Sequence, residues 1–214
     1  MPYGKLFEKG RIGGLTIRNR AVMTPMGTDF ALPDGTASMR LIRYYQERAK
    51  GGIGLIINEY TGVDHETSIP ALFQLRASSD VHVAGLEMLV DAVHAHGACI
   101  FAQLHHAGST SKAALTGRQA LSASDVPIAP GAPVPRPMTL EEIREVQQKF
   151  VGAALRCRKA GYDGVELLGD LDGPSPDEIR PLFDDLGLRI LSMTPADVDL
   201  AHPSSYVRQQ AIDY

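Results

Sequence analysis

Apolar positions along the chain switch repeatedly between a two-residue and a helical period, and the switches outline a series of strand and helix units. Arg20 to Met23 predicts a short strand that opens into Thr24-Pro25-Met26-Gly27, and Ser38 to Lys50 predicts a helix stopped by Gly51-Gly52. Ile53 to Asn58 is the next predicted strand, Asp80 to His96 a helix closed by Gly97, and Ala98 to Gln103 a third strand. After a long loop, Thr139 and Glu142 have the spacing of a capping box for a helix that runs to Lys159-Ala160 and ends at Gly161. Gly164 to Leu167 predicts a fourth strand. A Ser175-capped helix to Leu186, interrupted by Pro181, and a strand from Leu188 to Ser192 follow.

Strands that alternate with helices in this way imply an α/β fold with parallel strands joined by right-handed crossovers. A (β/α) barrel and an open doubly wound sheet both fit that order. Neither the first strand nor its loop carries GxGxxG or a phosphate-binding loop signature, so nothing specific favours a dinucleotide fold.

The most informative chemistry lies at the end of the third strand, in Phe101-Ala-Gln-Leu-His-His-Ala-Gly108. Strand ends of α/β proteins are where ligands bind, and Gln103 presents a donor and an acceptor together, which suits the imide edge of a planar heterocycle. A scaffold amide bonding its neighbours is the alternative role for Gln103. Adjacent strand residues point to opposite faces, so at most one of His105 and His106 shares the Gln103 side. Glu59 is either an acid or base or a partner for loop amides, and Glu166, inside a strand run, is expected to be buried and paired.

Composition changes the picture mainly by exclusion. Twenty-one Lys and Arg against 25 Asp and Glu give a formal charge of -4, which offers no electrostatic basis for holding nucleic acid. Cys99 and Cys157 stand far apart and read as buried thiols, and no His, Cys, Asp or Glu set has metal-ligand spacing. No apolar run reaches the roughly 20 residues that span a bilayer, and the first residues lack a signal-peptide core, so a cytoplasmic protein without membrane partners is expected.

Several stretches together carry a resemblance. Leu6-Phe7, Ile17-Arg18-Asn19-Arg20 through Thr28, Tyr44-Tyr45 with Arg48 through Ile57, Gln103 through Gly108, and Ala160 through Glu166 are similar to the Old Yellow Enzyme and NADH:flavin oxidoreductase family, in its branch near the 2,4-dienoyl-CoA and bile-acid enoate reductases. The resemblance implies an FMN-bearing TIM barrel in which NADH or NADPH reduces the flavin and hydride passes to an activated alkene or a related small-molecule acceptor. It further implies that Thr24, Pro25, Met26 and Gly27 line one edge of the isoalloxazine and that Gln103 bonds the pyrimidine edge. Tyr60 stands where the family has a small residue beside the flavin.

The chain departs from the family after Glu166. Leu168 and Leu171 fall where the family has paired polar side chains, and leucine donates no hydrogen bond to a substrate carbonyl. The length also falls below the roughly 250 residues of a full eight-stranded barrel. The expectation is therefore one domain. Residues 1–168 would form the N-terminal (β/α)4 part of an incomplete, TIM-barrel-like fold, and 169–214 a divergent helix, strand and tail that complete it. Three readings follow: an FMN-dependent oxidoreductase whose open edges are shielded in a homo-oligomer, a truncated, non-catalytic barrel remnant without bound flavin, or an engineered or spliced fragment, which would account for the abrupt change after Glu166.

Overall fold

The computed structural model describes residues 3–169 and 190–195. After a 3-10 turn at Gly4–Phe7 comes an antiparallel hairpin, β1 (Gly10–Ile12) and β2 (Leu15–Ile17), which the sequence pattern missed because each arm is only three residues long. β3 (Val22–Met23), α1 (Met39–Lys50), β4 (Leu55–Gly62), α2 (Val83–His94) and β5 (Cys99–His105) follow. A short helix α3 (Ala113–Thr116) and a two-stranded parallel sheet, β6 (Leu121–Ser122) and β7 (Arg136–Pro137), organise the long loop. α4 (Leu140–Lys159), β8 (Gly164–Gly169) and β9 (Ile190–Pro195) complete the described elements.

The main sheet has the order β3-β4-β5-β8-β9, with every pair parallel. Strands that neighbour one another in chain order have no point at which the order reverses, and a doubly wound sheet requires one. The architecture is therefore α/β and TIM-barrel-like, and the described strands form an open arc of such a barrel. The predicted helix over 175–186, its Ser175 cap, the Pro181 kink and Leu171 lie outside the described residues.

Four strands run further than their apolar patterns suggest. β4 reaches Gly62 through a register shift between Asn58 and Thr61, β5 reaches His105, β8 reaches Gly169 and β9 reaches Pro195. In β4 and β5 the polar side chains of Glu59, Thr61 and His105 break the apolar run, so a hydrophobic pattern ends too early there. The predicted 80–96 helix begins with a 3-10 turn at Asp80–His82 before α2.

Alternation on the strands separates two apolar layers. Ile56, Ile100, Ala102, Leu104 and Val165 pack with Leu41 and Tyr45 of α1, Leu86 and Leu89 of α2, and Ala153 and Cys157 of α4. On the other face, Leu55, Ile57 and Phe101 pack with Ile17 of the hairpin. The Arg18-Asn19 pair explains why that stretch is so specific. The Arg18 guanidinium donates to the carbonyls of Ala49, Ile53 and His96, and the Asn19 amide to that of Gly52 at 2.8 Å. A fixed cation there satisfies carbonyls at and just past the C-terminal ends of α1 and α2 and complements their dipoles. The motif builds the base of the fold and touches none of the predicted site residues.

α4 begins with the expected capping box: Thr139 Oγ1 accepts from the Glu142 N–H, and Glu142 accepts from the Thr139 N–H. No helix among the described residues is long and apolar enough to cross a membrane.

Candidate active site

The sheet face turned away from the helices is apolar at its base and polar toward the C-terminal ends of the strands. Phe101, Gln103 and His105 follow one another on it at two-residue spacing, and Glu166 stands beside Gln103 in register. Gln103 Nε2 donates to Glu166 Oε2 at 3.2 Å, across neighbouring strands. Gln103 is half-buried and Glu166 is buried.

The register shift in β4 brings Tyr60 onto this face. Its ring meets the His105 ring edge to face, with centroids 5.2 Å apart. It also lies against Gly27 so closely that a Cβ at that position would stand 2.3 Å from Tyr60 Cε1. Gly27 is therefore required by the phenol, and the two residues are a matched large and small pair. Burial, followed by the charges of Asp29 and Glu59, raises the Tyr60 hydroxyl above the ordinary phenol range. That hydroxyl has no hydrogen-bond partner among the described residues.

Gln74 sits behind both rings. Its Nε2 donates to the Tyr60 carbonyl at 3.4 Å and lies 3.5 Å from His105 Nδ1. With the amide nitrogen toward that carbonyl, which can only accept, His105 Nδ1 acts as an acceptor, and Gln74 Oε1 is left buried without a hydrogen-bond partner among the described residues. That assignment places the imidazole proton on Nε2. Burial, then the neighbouring His106 charge, pushes the His105 pKa down to about 4, so the ring is neutral at pH 7.

The loop holding Thr24 to Gly27 is fixed from below by Glu59. The Thr28 N–H and hydroxyl both donate to Glu59 Oε2, at 2.9 and 2.5 Å. The Tyr45 hydroxyl accepts from the Glu59 N–H at 2.8 Å and donates to its carboxylate at 3.4 Å. Burial raises the Glu59 pKa, against the lowering effect of the Thr28 contacts. Of its two predicted roles, Glu59 takes that of a loop-amide partner. Met26, by contrast, is 60% exposed and makes no such anchor.

His106 goes the other way. Its Nδ1 accepts from the Gly108 N–H, and its Nε2 faces Asp64 Oδ2 at 3.9 Å. Asp64 accepts from Thr67 Oγ1 at 2.5 Å, from Lys149 Nζ at 2.9 Å and from the Glu66 N–H at 2.8 Å. Burial pushes its carboxyl up, but these donors outweigh that and bring its pKa to about 2. A cavity of about 220 Å³ opens beside this cluster, lined by Thr67, Arg118, Arg136, Glu142 and Lys149 among others, and none of the predicted site residues borders it. Among the described residues no group of His, Cys, Asp and Glu could hold a metal ion.

The structure thus brings Gly27 and Tyr60 together, and Gln103 onto the same strand face as His105. Sequence reasoning missed the contribution of Gln74, for which the pattern carries no signal, and underrated His105, whose two-residue spacing from Gln103 was available.

A family model described as NADH:flavin oxidoreductase / NADH oxidase matches residues 5–170. The chain is 48% identical over 168 residues to an NADH oxidase of Thermoanaerobacter brockii, covering 78% of this chain and 26% of that protein. It is 37% identical over 173 residues to a cinnamate reductase of Clostridium sporogenes, covering 77% and 26% respectively. The fold is similar to the solved old yellow enzyme of Trypanosoma cruzi, with a TM-score of 0.70, 31% identity, and 79% and 52% of the two chains covered. The chain thus spans about a quarter of those two relatives' length and about half of that solved chain. With its parallel strands in barrel order and this match over most of its length, the chain belongs to the NADH:flavin oxidoreductase / NADH oxidase family.

Proposed function

We propose that the chain carries the flavin edge of an NAD(P)H-dependent oxidoreductase that uses FMN and delivers hydride to an activated alkene or a related acceptor. The observation that carries this reading is Gln103: its Nε2 is held by Glu166, and its carbonyl oxygen, with no partner among the described residues, is an acceptor suited to an imide N–H. The Thr24 to Gly27 loop, anchored through Thr28 on Glu59, supplies backbone beside it, with Tyr60 covering Gly27. These residues fit the pyrimidine edge of a flavin.

When bound, FMN supplies the hydride chemistry, and the protein supplies orientation. Gln103 would fix the ring's pyrimidine end, and the Thr24, Pro25, Met26 and Gly27 backbone would border one edge. Tyr60 would narrow the site on the Gly27 side. The names of the relatives, an NADH oxidase and a cinnamate reductase, support nicotinamide and an alkene as the two partners.

The test is a titration of the purified protein with FMN, followed by flavin fluorescence and absorbance. Saturable binding is expected, and Gln103→Ala should weaken it about tenfold, the loss of one to two oriented hydrogen bonds. Leu168 and the bulk of Tyr60 favour the second reading, a flavin-free remnant. A folded protein that ignores FMN would establish that reading and overturn the first.

A further inference from the structure

We propose that the Tyr60 hydroxyl and the His105 Nε2–H form an uncharged binding site for the oxygen of a carbonyl-bearing acceptor. The inference rests on the oxidoreductase reading for the fate of the acceptor, and on the described residues alone for where its oxygen sits.

Three observations carry it. The two rings touch edge to face at 5.2 Å on the polar end of the sheet face that holds Gln103, and both residues are half-buried. The Tyr60 hydroxyl has no partner among the described residues. With the Gln74 amide nitrogen turned toward the Tyr60 carbonyl, His105 Nδ1 is the acceptor of the Gln74 contact and Nε2 carries the proton. Two neutral donors held in place without a partner suit an oxygen that gains charge during a reaction, because they need no reorganisation at that moment. Since burial keeps His105 neutral, the site holds its donor character without repelling a cation or attracting free anions.

For an α,β-unsaturated carbonyl compound, hydride from the reduced nicotinamide, passed on within the proposed reading, forms the new C–H bond at the β carbon. The alkene electron pair shifts toward the carbonyl, and negative charge builds on its oxygen between the two donors. Water supplies the proton that completes the α carbon. The nicotinamide is oxidised and the alkene is reduced by one hydride and one proton.

The test needs neither flavin nor turnover. 4-(Dimethylamino)cinnamaldehyde absorbs at longer wavelength when its carbonyl accepts hydrogen bonds, so it reports polarisation directly. Titrated into the protein alone, it should show a saturable red shift. Tyr60→Phe and His105→Leu should each shrink the shift and weaken binding about tenfold, while Arg118→Ala, on the flanking cavity, should match the wild type. If His105→Leu fails to fold, Tyr60→Phe decides by itself. No red shift in the wild type, or a full shift in Tyr60→Phe, overturns the proposal. A normal red shift in a protein that ignores FMN would remove the flavin reading and keep the oxygen site; FMN binding without a red shift would do the reverse.

Discussion

His105 and His106 are consecutive in the chain, and they enter opposite kinds of environment. His105 stands at the sheet's polar mouth beside Tyr60, with its acceptor nitrogen covered by Gln74 and its donor free. His106 lies on the flank, where Asp64, Lys149 and Thr67 form a hydrogen-bonded, charge-paired network, and His106 Nε2 is buried beside it at 3.9 Å from Asp64 without a hydrogen bond of its own. Buried polarity that is satisfied holds a structure together; polarity that is positioned and left open is available to a ligand. By that criterion the flank is scaffold and the mouth is the site, even though the flank has the cavity and more charge.

The sharpest way to break this contrast is to remove a charge from the flank. Asp64 has a side chain 1% exposed, and Lys149 is its countercharge at 2.9 Å. Lys149→Met strands the carboxylate, and the expected loss is about 3 kcal/mol in the unfolding free energy measured with urea. A loss below about 1 kcal/mol would show that Thr67 and the Glu66 N–H suffice, and the flank would no longer count as a charge-dependent scaffold.

Acid separates the two regions by pH window. The Asp64 pKa is lowered from 3.8 to about 2, so its contribution is complete above 3.8 and is lost as pH falls through 2. The shift corresponds to about 2 kcal/mol. The His105 pKa is lowered from 6.5 to about 4, so the unfolded chain takes up this proton first, and stability declines between 6.5 and 4. Stability measured against pH should therefore fall in two stages. Burial lowers His82 and His106 in the same direction, so His105→Leu should shrink the upper stage without abolishing it and leave the lower one; an upper stage of unchanged size would mean that His105 does not contribute to it.

How much of this was legible in the sequence follows the same division. The strand and helix order, the Thr139 and Glu142 cap and the glycine stops were readable, because each is encoded by residues close in sequence. The arc itself was not, since barrel and doubly wound sheets share that order until β3, β4, β5 and β8 are seen side by side. Gln103 could be placed on a strand end from its apolar run. The matched Gly27 and Tyr60 pair and the role of Gln74 could not, because the first depends on a register shift in β4 and the second on a loop side chain reaching two strands. The family resemblance drew attention to Tyr60 as a departure, but only the contact explains what accompanies it.

The smallest expected effect is also the most discriminating, and it compares two phenols. Tyr45 is fully buried, and its hydroxyl both accepts from the Glu59 N–H and donates to the Glu59 carboxylate. Tyr45→Phe leaves that N–H without its partner in the core and should cost about 1.5 kcal/mol. It should also loosen the Thr28 contact, and with it the loop from Thr24 to Gly27. Tyr60→Phe removes a hydroxyl that bonds nothing among the described residues and keeps the ring against Gly27 and His105, so stability should change by less than about 0.5 kcal/mol. Thermal unfolding of the two variants side by side checks both. If Tyr60→Phe costs as much as Tyr45→Phe, its hydroxyl has a structural partner and the mouth resembles the flank; if it costs nothing, the fold does not depend on that hydroxyl and the two phenols differ as their contacts do.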